Sequence, residues 1–135
     1  TTVEWKDHTA VYLGGDVDPT IPSLDDEVIT RVNSICKSFD STANLDYVGV
    51  IRWPVGTFMK PHFDDNNVHN PDIFAAMLYL NNNFSGGCTC FEDFEVKPEP
   101  GKLIIFSNSQ YLHYVSKVEG DERFVLSFWY NSLNK

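Results

Sequence analysis

The chain has little positive charge and no long apolar run. Its 10 lysines and arginines stand against 19 aspartates and glutamates in 135 residues, which gives a net charge of −9 at pH 7. Nucleic-acid surfaces neutralise phosphates with clustered Lys and Arg, so this balance excludes a nucleic-acid partner. No apolar run approaches the roughly 20 residues that span a bilayer. We therefore expect no membrane association and, because no signal peptide is recognisable, a cytoplasmic location.

Cysteine is also scarce, which bears on both disulfides and zinc sites. The three cysteines are an odd number and form no CxxC pair from which a zinc site could begin. Cys88 and Cys90 would point to the same face of a strand, near the limit of the separation that a disulfide can bridge. We expect Cys36, Cys88 and Cys90 to be reduced thiols.

Apolar and aromatic residues are plentiful, at 42% and 14% of the chain. Because repeats, low-complexity tracts and linkers are absent, this content predicts one globular domain spanning residues 1–135. The N-terminal part indicates a short strand within residues 3–13 and then one amphipathic helix, for which Ser23 is the N-cap. The apolar stripe of this helix consists of Leu24, Val28, Val32, Ile35 and Phe39. Such a stripe predicts a helix that packs on a sheet.

From residue 45 onward, short apolar runs alternate with turn residues, as is typical of strands. The predicted strands lie at 47–53, 58–64, 73–80, 88–91, 95–97, 102–106, 113–118 and 123–130. Short strands in this number after a helix indicate a mainly β fold with one or two N-terminal helices (α+β). The favoured architecture is an antiparallel jelly roll or double-stranded β-helix, and a β-sandwich of another topology is the alternative.

The last predicted strand has two different faces. Arg123, Val125, Ser127 and Trp129 share one face, and Phe124, Leu126, Phe128 and Tyr130 share the other. An arginine on a surface strand would be expected to face water beside other polar residues. The pattern instead fits a strand whose apolar face packs under the helix while its other face lines a pocket.

Two histidines and one aspartate could share a metal ion. His62 and Asp64 are two residues apart, so both side chains leave the same face of a strand. His113 would supply a third ligand from a strand across the barrel. Two imidazoles and one carboxylate on one face form the ligand set of non-haem Fe(II) sites, with open positions opposite. The His-x-Asp pattern alone is weak, since it arises by chance in roughly one chain in three of this composition.

A guanidinium lies downstream of the third candidate ligand. Arg123 follows His113 at a distance that allows one strand, a tight turn and the start of the next strand. An arginine there could hold the far carboxylate of an acidic co-substrate in a charge-assisted pair. Ser127 shares its face, and Tyr79 is a third candidate. The alternatives are a surface salt bridge of Arg123 to a neighbouring glutamate and a half-buried core phenol at Tyr79.

The candidate residues fall in an ordered series of motifs. The segments are 50–56 (VIRWPVG), 61–65 (PHFDD), 77–81 (MLYLN), 86–91 (GGCTCF), 98–106 (PEPGKLIIF), 113–115 (HYV) and 123–130 (RFVLSFWY). Over a core of about 47–130, this series resembles the catalytic domain of Fe(II)- and 2-oxoglutarate-dependent dioxygenases. It looks most like the prolyl 4-hydroxylase branch, and the arginine at the start of the last segment places it nearer the members that use Arg than those that use Lys.

The resemblance implies a cupin-like, double-stranded β-helix with a site that has two ends. The implied iron ligands are His62, Asp64 and His113. The residues implied to hold the distal carboxylate of 2-oxoglutarate or to wall its pocket are Arg123, Tyr79, Ser127 and Trp129. The implied cofactors are Fe(II), 2-oxoglutarate and O₂, with ascorbate as a candidate auxiliary reductant.

The implied reaction is hydroxylation of an unactivated C–H bond, first of all on a proline residue in a peptide or protein. Trp53, Asp65 and His69 are candidate substrate contacts; Trp53 stands where the family often has Tyr, and the other two lie in a polar loop that could form a lid. The alternatives are a hydroxylase of a free amino acid or other small molecule, a non-enzymatic cupin-like metal-binding module, and a zinc hydrolase. The sequence does not fix the oligomeric state, and a monomer is compatible with it.

Overall fold

The computed structural model describes residues 5–6, 11–12, 26–63, 72–107 and 110–132, and the structural statements below concern these residues. The helix α1 spans Asp26–Phe39. The strands are β1 (Trp5–Lys6), β2 (Val11–Tyr12), β3 (Ala43–Trp53), β4 (Phe58–His62), β5 (Asp72–Tyr79), β6 (Ser85–Gly86), β7 (Thr89–Phe91), β8 (Glu95–Val96), β9 (Leu103–Phe106), β10 (His113–Val115), β11 (Val118–Glu119) and β12 (Arg123–Ser132).

Most of these strands belong to two five-stranded antiparallel sheets. The major sheet has the order β2-β3-β12-β5-β9, and the minor sheet has the order β1-β4-β10-β7-β8. From β3 onward the chain passes alternately between them: β3, β5, β9 and β12 are in the major sheet, and β4, β7, β8 and β10 are in the minor sheet. This alternation makes a double-stranded β-helix. The predicted fold class is confirmed, and the alternative sandwich topology is wrong.

From residue 43 onward the observed strands include all those predicted, with two differences: β6 (Ser85–Gly86) was not predicted, and one predicted strand is divided. The single strand predicted within residues 3–13 is also wrong, since β1 belongs to the minor sheet and β2 to the major sheet. The strand predicted at 113–118 is two elements, because β10 pairs with β4 and β7 whereas β11 pairs with β6. Ser116 and Lys117 separate the two elements, but two polar residues within a stretch of β-branched and aromatic residues do not show that the chain changes its pairing partner there. In the N-terminal part, only β1 and β2 are described, and Ser23 and Leu24 lie outside the described residues.

One apolar cluster lies between the helix and the outer face of the major sheet. Val32 and Cys36 of α1 pack there with Leu126, Phe128 and Tyr130 of β12. These three β12 residues are the apolar face predicted from the alternation. The structure therefore confirms that this face packs under the helix.

The predicted helix stripe is wrong at its C-terminal end. Ile35 is 44% exposed and Phe39 is 72% exposed, whereas Cys36 is fully buried. The buried face of α1 is rotated towards Ile29 and Cys36, since a small thiol side chain allows a close approach to the sheet. Because apolar periodicity does not weigh side-chain size, it assigned the larger residues to the interface.

A second cluster fills the space between the two sheets. Trp53, Tyr79 and Val125 contribute from the major sheet, and Met59 and Val115 contribute from the minor sheet. The face of β12 that carries Arg123 therefore points into the interior of the barrel, where the candidate site lies.

Two expectations about the chemistry of the chain can be compared with the described residues. None of the three cysteines forms a disulfide bond, as predicted. Within the described part of the chain, the helix is too short and too polar to cross a membrane.

Candidate active site

Two histidines meet on the inner face of the minor sheet. His62 ends β4 and His113 begins β10, and the two residues are direct partners in the antiparallel register. Side chains of directly opposed residues leave the same face of a sheet. The two imidazole centroids are 4.4 Å apart, and His113 is only 4% exposed. Strand pairing thus brings together two residues that are far apart in the sequence.

Both imidazoles are oriented by main-chain carbonyl groups. Nδ1 of His62 donates to the carbonyl oxygen of Lys60 at 2.7 Å, and Nδ1 of His113 donates to that of Tyr111 at 2.8 Å. Because a carbonyl oxygen can only accept, Nδ1 must carry a proton, and in the neutral imidazole the lone pair is then on Nε2. A histidine ligated through Nε2 has its other nitrogen bonded in this way in metal sites. The histidine pair therefore suits a metal ion.

The predicted carboxylate ligand lies outside the described residues. Asp64 comes two residues after the last residue of β4, and it falls with Asp65 and His69 in the range that the structure leaves undescribed. Among residues 26–63, 72–107 and 110–132, no group of three His, Cys, Asp or Glu side chains is close enough to hold a metal. The assignment of Asp64 thus continues to rest on its spacing from His62.

Arg123 is a fully buried cation at the start of β12. Its Nε donates to the carbonyl oxygen of Gly87 at 2.8 Å, and its Nη2 donates to the hydroxyl of Thr89 at 3.2 Å. Its Nη1 is buried and has no hydrogen-bond partner among the described residues. Buried donors are nearly always satisfied, so an unsatisfied guanidinium nitrogen marks a place for an acceptor.

No described carboxylate neutralises Arg123. The nearest acidic residue in sequence, Glu122, pairs with Arg52 at 2.6 Å, so the alternative of a surface salt bridge at Arg123 is wrong. Burial lowers the pKa of Arg123 to about 10, which still leaves the guanidinium charged at neutral pH. Its charge is met by aromatic faces: the ring centres of Trp53 and Tyr79 lie 4.8 and 5.5 Å from the guanidinium carbon.

Tyr79 lies beside Arg123 as a fully buried phenol. Its hydroxyl shares a hydrogen bond with that of Thr89. Burial raises the pKa of Tyr79, so the phenol is neutral and can donate. A protonated phenol and a guanidinium side by side form a donor set for a carboxylate.

The two remaining candidates come from the same face of β12. Ser127 is 4% exposed and lies opposite Met77 of β5. Trp129 is partly buried against the cluster between the sheets. The structure thus places Arg123, Ser127 and Trp129 along one inward face, with Tyr79 on the neighbouring strand.

Comparison with known proteins decides the family. A sequence model described as the 2OG-Fe(II) oxygenase superfamily matches residues 48–131, which span the histidine pair and the buried arginine. The chain belongs to this superfamily. Its cofactor, co-substrate and oxidant are accordingly Fe(II), 2-oxoglutarate and O₂. A search of curated protein sequences found no match.

Solved structures share the fold of this 2OG oxygenase at low sequence identity. A Pseudomonas putida prolyl-4-hydroxylase aligns with a TM-score of 0.73 and 20% identity, over 96% of this chain and 71% of the other. The viral collagen prolyl hydroxylase of Paramecium bursaria Chlorella virus-1, in a 2OG complex, aligns with a TM-score of 0.70 and 19% identity, over 93% and 79%. A Trichoplax adhaerens prolyl hydroxylase bound to a hypoxia inducible factor peptide fragment gives 0.63 and 19%, over 91% and 62%.

Two residues that support Arg123 in this 2OG oxygenase escaped the sequence reasoning. Thr89 is fully buried and bonds both Arg123 and Tyr79. Gly87 accepts from Arg123, and its φ of +63° is one that only glycine adopts readily. Both contacts are long-range, with a sequence separation of 36 residues from Gly87 to Arg123 and of 34 from Thr89 to Arg123, so no local sequence pattern indicates them.

An apolar groove adjoins the histidine pair. It has a volume of about 440 Å³, and we call it the aromatic groove. Its lining residues are Phe91, Phe94, Val96, Ile104, Ile105, Phe106 and Tyr111. The ring of Phe106 packs edge-on against His113, with 4.9 Å between centroids.

Proposed function

We propose that this chain is an Fe(II)- and 2-oxoglutarate-dependent hydroxylase that acts on a proline residue in a peptide or protein. The observation that carries the proposal is Arg123, a buried cation with an unsatisfied Nη1 and no described counter-ion. An unpaired buried charge costs several kcal/mol. A site that retains such a charge is suited to an anionic ligand that neutralises it.

His62, Asp64 and His113 would hold the iron. His62 and His113 are partners in the strand register, and Asp64 is proposed as the third ligand because of its spacing from His62 in the sequence. The carbonyl groups of Lys60 and Tyr111 would fix the ring orientation in which Nε2 of each imidazole is the metal-binding atom. Three ligands on one face leave the opposite positions open for the co-substrate and O₂.

Arg123 and Tyr79 would bind the distal carboxylate of 2-oxoglutarate. Nη1 of Arg123 supplies a charged donor, and the Tyr79 hydroxyl supplies a neutral donor next to it. Ser127 would add a hydroxyl from the same face, and Trp129 would form a wall of the pocket. Low exposure at these positions excludes water, which strengthens each of these contacts.

When bound, iron, 2-oxoglutarate and O₂ supply the oxidant for hydroxylation of an unactivated C–H bond, with succinate and CO₂ as co-products. The residues of the chain bind, orient and shield. A prolyl substrate is supported by the fold shared with prolyl hydroxylases. Trp53, Asp65 and His69 stay predicted substrate contacts, although the structure buries Trp53 against the guanidinium. Ascorbate likewise stays a predicted auxiliary reductant.

The metal half of the proposal is tested by adding Fe(II) and then 2-oxoglutarate without oxygen and recording the visible spectrum. We expect a weak charge-transfer band from the chelate, and its loss in His113→Ala. His8→Ala, which removes a histidine outside the predicted ligand set, is the matched control and should retain the band. A wild-type protein that binds iron but gives no band would instead be a metal-binding module.

The co-substrate half is tested at Arg123. Removing one partner of a buried charge pair typically costs 2 kcal/mol or more, so Arg123→Ala should weaken 2-oxoglutarate binding by at least about thirtyfold. Iron binding should survive. Arg52→Ala is the matched control, because Arg52 pairs with Glu122 and is partly exposed. Equal co-substrate affinity in both variants would place the carboxylate anchor elsewhere.

A further inference from the structure

None of the residues assigned above to iron or 2-oxoglutarate lines the aromatic groove. It lies between β8 and β9, the strands at one edge of the minor and of the major sheet. Phe94 and Tyr111 line it, and they are 62% and 56% exposed. Contiguous apolar side chains at a surface mark a binding site more often than scattered ones do.

The groove leads from the surface to the histidine pair through a series of ring contacts. Phe94 stacks on Phe91 with 5.0 Å between centroids. Phe91 in turn meets Phe106 edge-on at 5.1 Å, and Phe106 meets His113 at 4.9 Å. A chain lying along these rings would therefore reach the candidate metal site.

The outer end of the groove is acidic. Glu92 and Asp93 directly precede Phe94 in the β7–β8 turn, and both are exposed. The charge of Lys102, which precedes β9, is engaged elsewhere: its ammonium group donates to the carbonyl oxygen of Lys97 at 2.8 Å and pairs with Glu99 at 3.5 Å. The carboxylates beside Phe94 thus give this rim a negative potential, which selects cationic partners.

Aromatic faces, apolar walls and carboxylates match the parts of an arginine or lysine side chain. The aliphatic stem packs on apolar surface while the head remains near water, and a guanidinium stacks on aromatic rings. We propose that the aromatic groove binds an Arg- or Lys-containing segment of the substrate polypeptide and so directs a neighbouring residue to the histidine pair. This inference rests on the proposed function, whose substrate is a peptide or protein.

A second copy of the chain is a weaker match for the groove. Its edge strand β8 has only two residues, and so short an edge offers little backbone for pairing between sheets. The like charges of two acidic rims would also repel each other.

The test is fluorescence anisotropy with labelled peptides on protein loaded with Fe(II) and 2-oxoglutarate without oxygen. One peptide carries arginines separated by Gly and Ser, and its twin carries citrulline, which has the shape of arginine without the charge. We expect the arginine peptide to bind at least about tenfold more tightly. Equal binding of the twins, or no binding of either, would overturn the proposal.

Variants assign the binding to the groove. We expect the affinity for the arginine peptide to fall by about tenfold in Phe94→Ala. The same loss is expected in the double variant Glu92→Gln, Asp93→Asn. Phe39→Ala and Glu119→Gln are the matched controls, since they change an exposed aromatic on α1 and an exposed carboxylate on β11. Wild-type affinity in Phe94→Ala contradicts the proposal, as does a dimer in sedimentation that Phe94→Ala dissociates.

Two further measurements distinguish a failure of this inference from a failure of the proposed function. The chelate band in the same samples decides the oxygenase chemistry, while peptide affinity decides the groove. With Mn(II) in place of iron, the peptide resonances nearest the metal should broaden at one end only. Uniform sharp resonances in the bound peptide would overturn the link between groove and active site.

Discussion

At the scale of single residues, Arg123 carries the largest desolvation cost in the barrel, because its guanidinium is fully buried. A cation removed from water needs compensation, and the protein supplies only part of it through Gly87, Thr89 and two aromatic faces. The remaining donor is kept for an anion. A surface arginine such as Arg52 pairs fully within the protein instead.

Tyr79 should contribute less to co-substrate binding than Arg123 does. Tyr79→Phe keeps the ring but removes one neutral donor, which is worth about 0.5–1.5 kcal/mol. We expect 2-oxoglutarate affinity to fall by about two- to tenfold, as measured by calorimetry, with little loss of folding stability. A loss as large as that in Arg123→Ala would show that the hydroxyl also holds the guanidinium in place through Thr89.

At the scale of elements, the turn between β6 and β7 determines where the guanidinium lies. Gly87 has a positive φ, and a Cβ there would come within 2.7 Å of the Phe84 ring and 3.1 Å of the Arg123 side chain. The turn can therefore approach the base of the arginine only because position 87 carries no side chain.

Gly87→Ala should damage both folding and the co-substrate pocket. The left-handed conformation alone costs about 1–2 kcal/mol for alanine, and the two close contacts add to it. Gly101→Ala separates the effects, because Gly101 also has a positive φ but nothing lies within 4 Å of the added Cβ. The free energy of unfolding, measured in urea, should be lower in both variants, whereas only Gly87→Ala should weaken 2-oxoglutarate binding. Unchanged affinity in Gly87→Ala would contradict this account.

At the scale of the whole molecule, the site joins the two sheets. The histidine pair and Thr89 belong to the minor sheet, and Tyr79, Arg123 and Ser127 belong to the major sheet. Ligands that contact both groups would hold the two sheets together. Their binding should therefore raise the free energy of unfolding of the whole barrel.

Iron and 2-oxoglutarate should therefore stabilise the fold in an additive way. A ligand at a hundredfold excess over its Kd adds about 2.7 kcal/mol to the free energy of unfolding. We expect thermal unfolding to shift upward with Fe(II), further with 2-oxoglutarate, and back with a chelator. In Arg123→Met, the upward shift with Fe(II) should remain, and the further shift with 2-oxoglutarate should disappear. A second shift of wild-type size in this variant would exclude the arginine from the co-substrate site.

The fold was predictable from the sequence because alternation and turn residues are local signals. These signals predicted most of the strands, the two faces of β12 and the position of Arg123 in the interior. The packing face of α1 did not, since Cys36 replaced Ile35 at the interface for reasons of size. The bonds of Thr89 and Gly87 to Arg123 join residues far apart in the chain, and no local pattern encodes such pairs. The role of Asp64 stays a prediction.

The use of main-chain carbonyls to orient both imidazoles has a consequence for evolution. Any amino acid at positions 60 and 111 supplies the same acceptor, so these positions can mutate without releasing the histidine rings. Tyr111 has both roles at once: its carbonyl oxygen accepts the hydrogen bond from His113, while its side chain lines the aromatic groove. Natural selection could thus remodel what the groove accepts while inheriting the metal-binding rings unchanged.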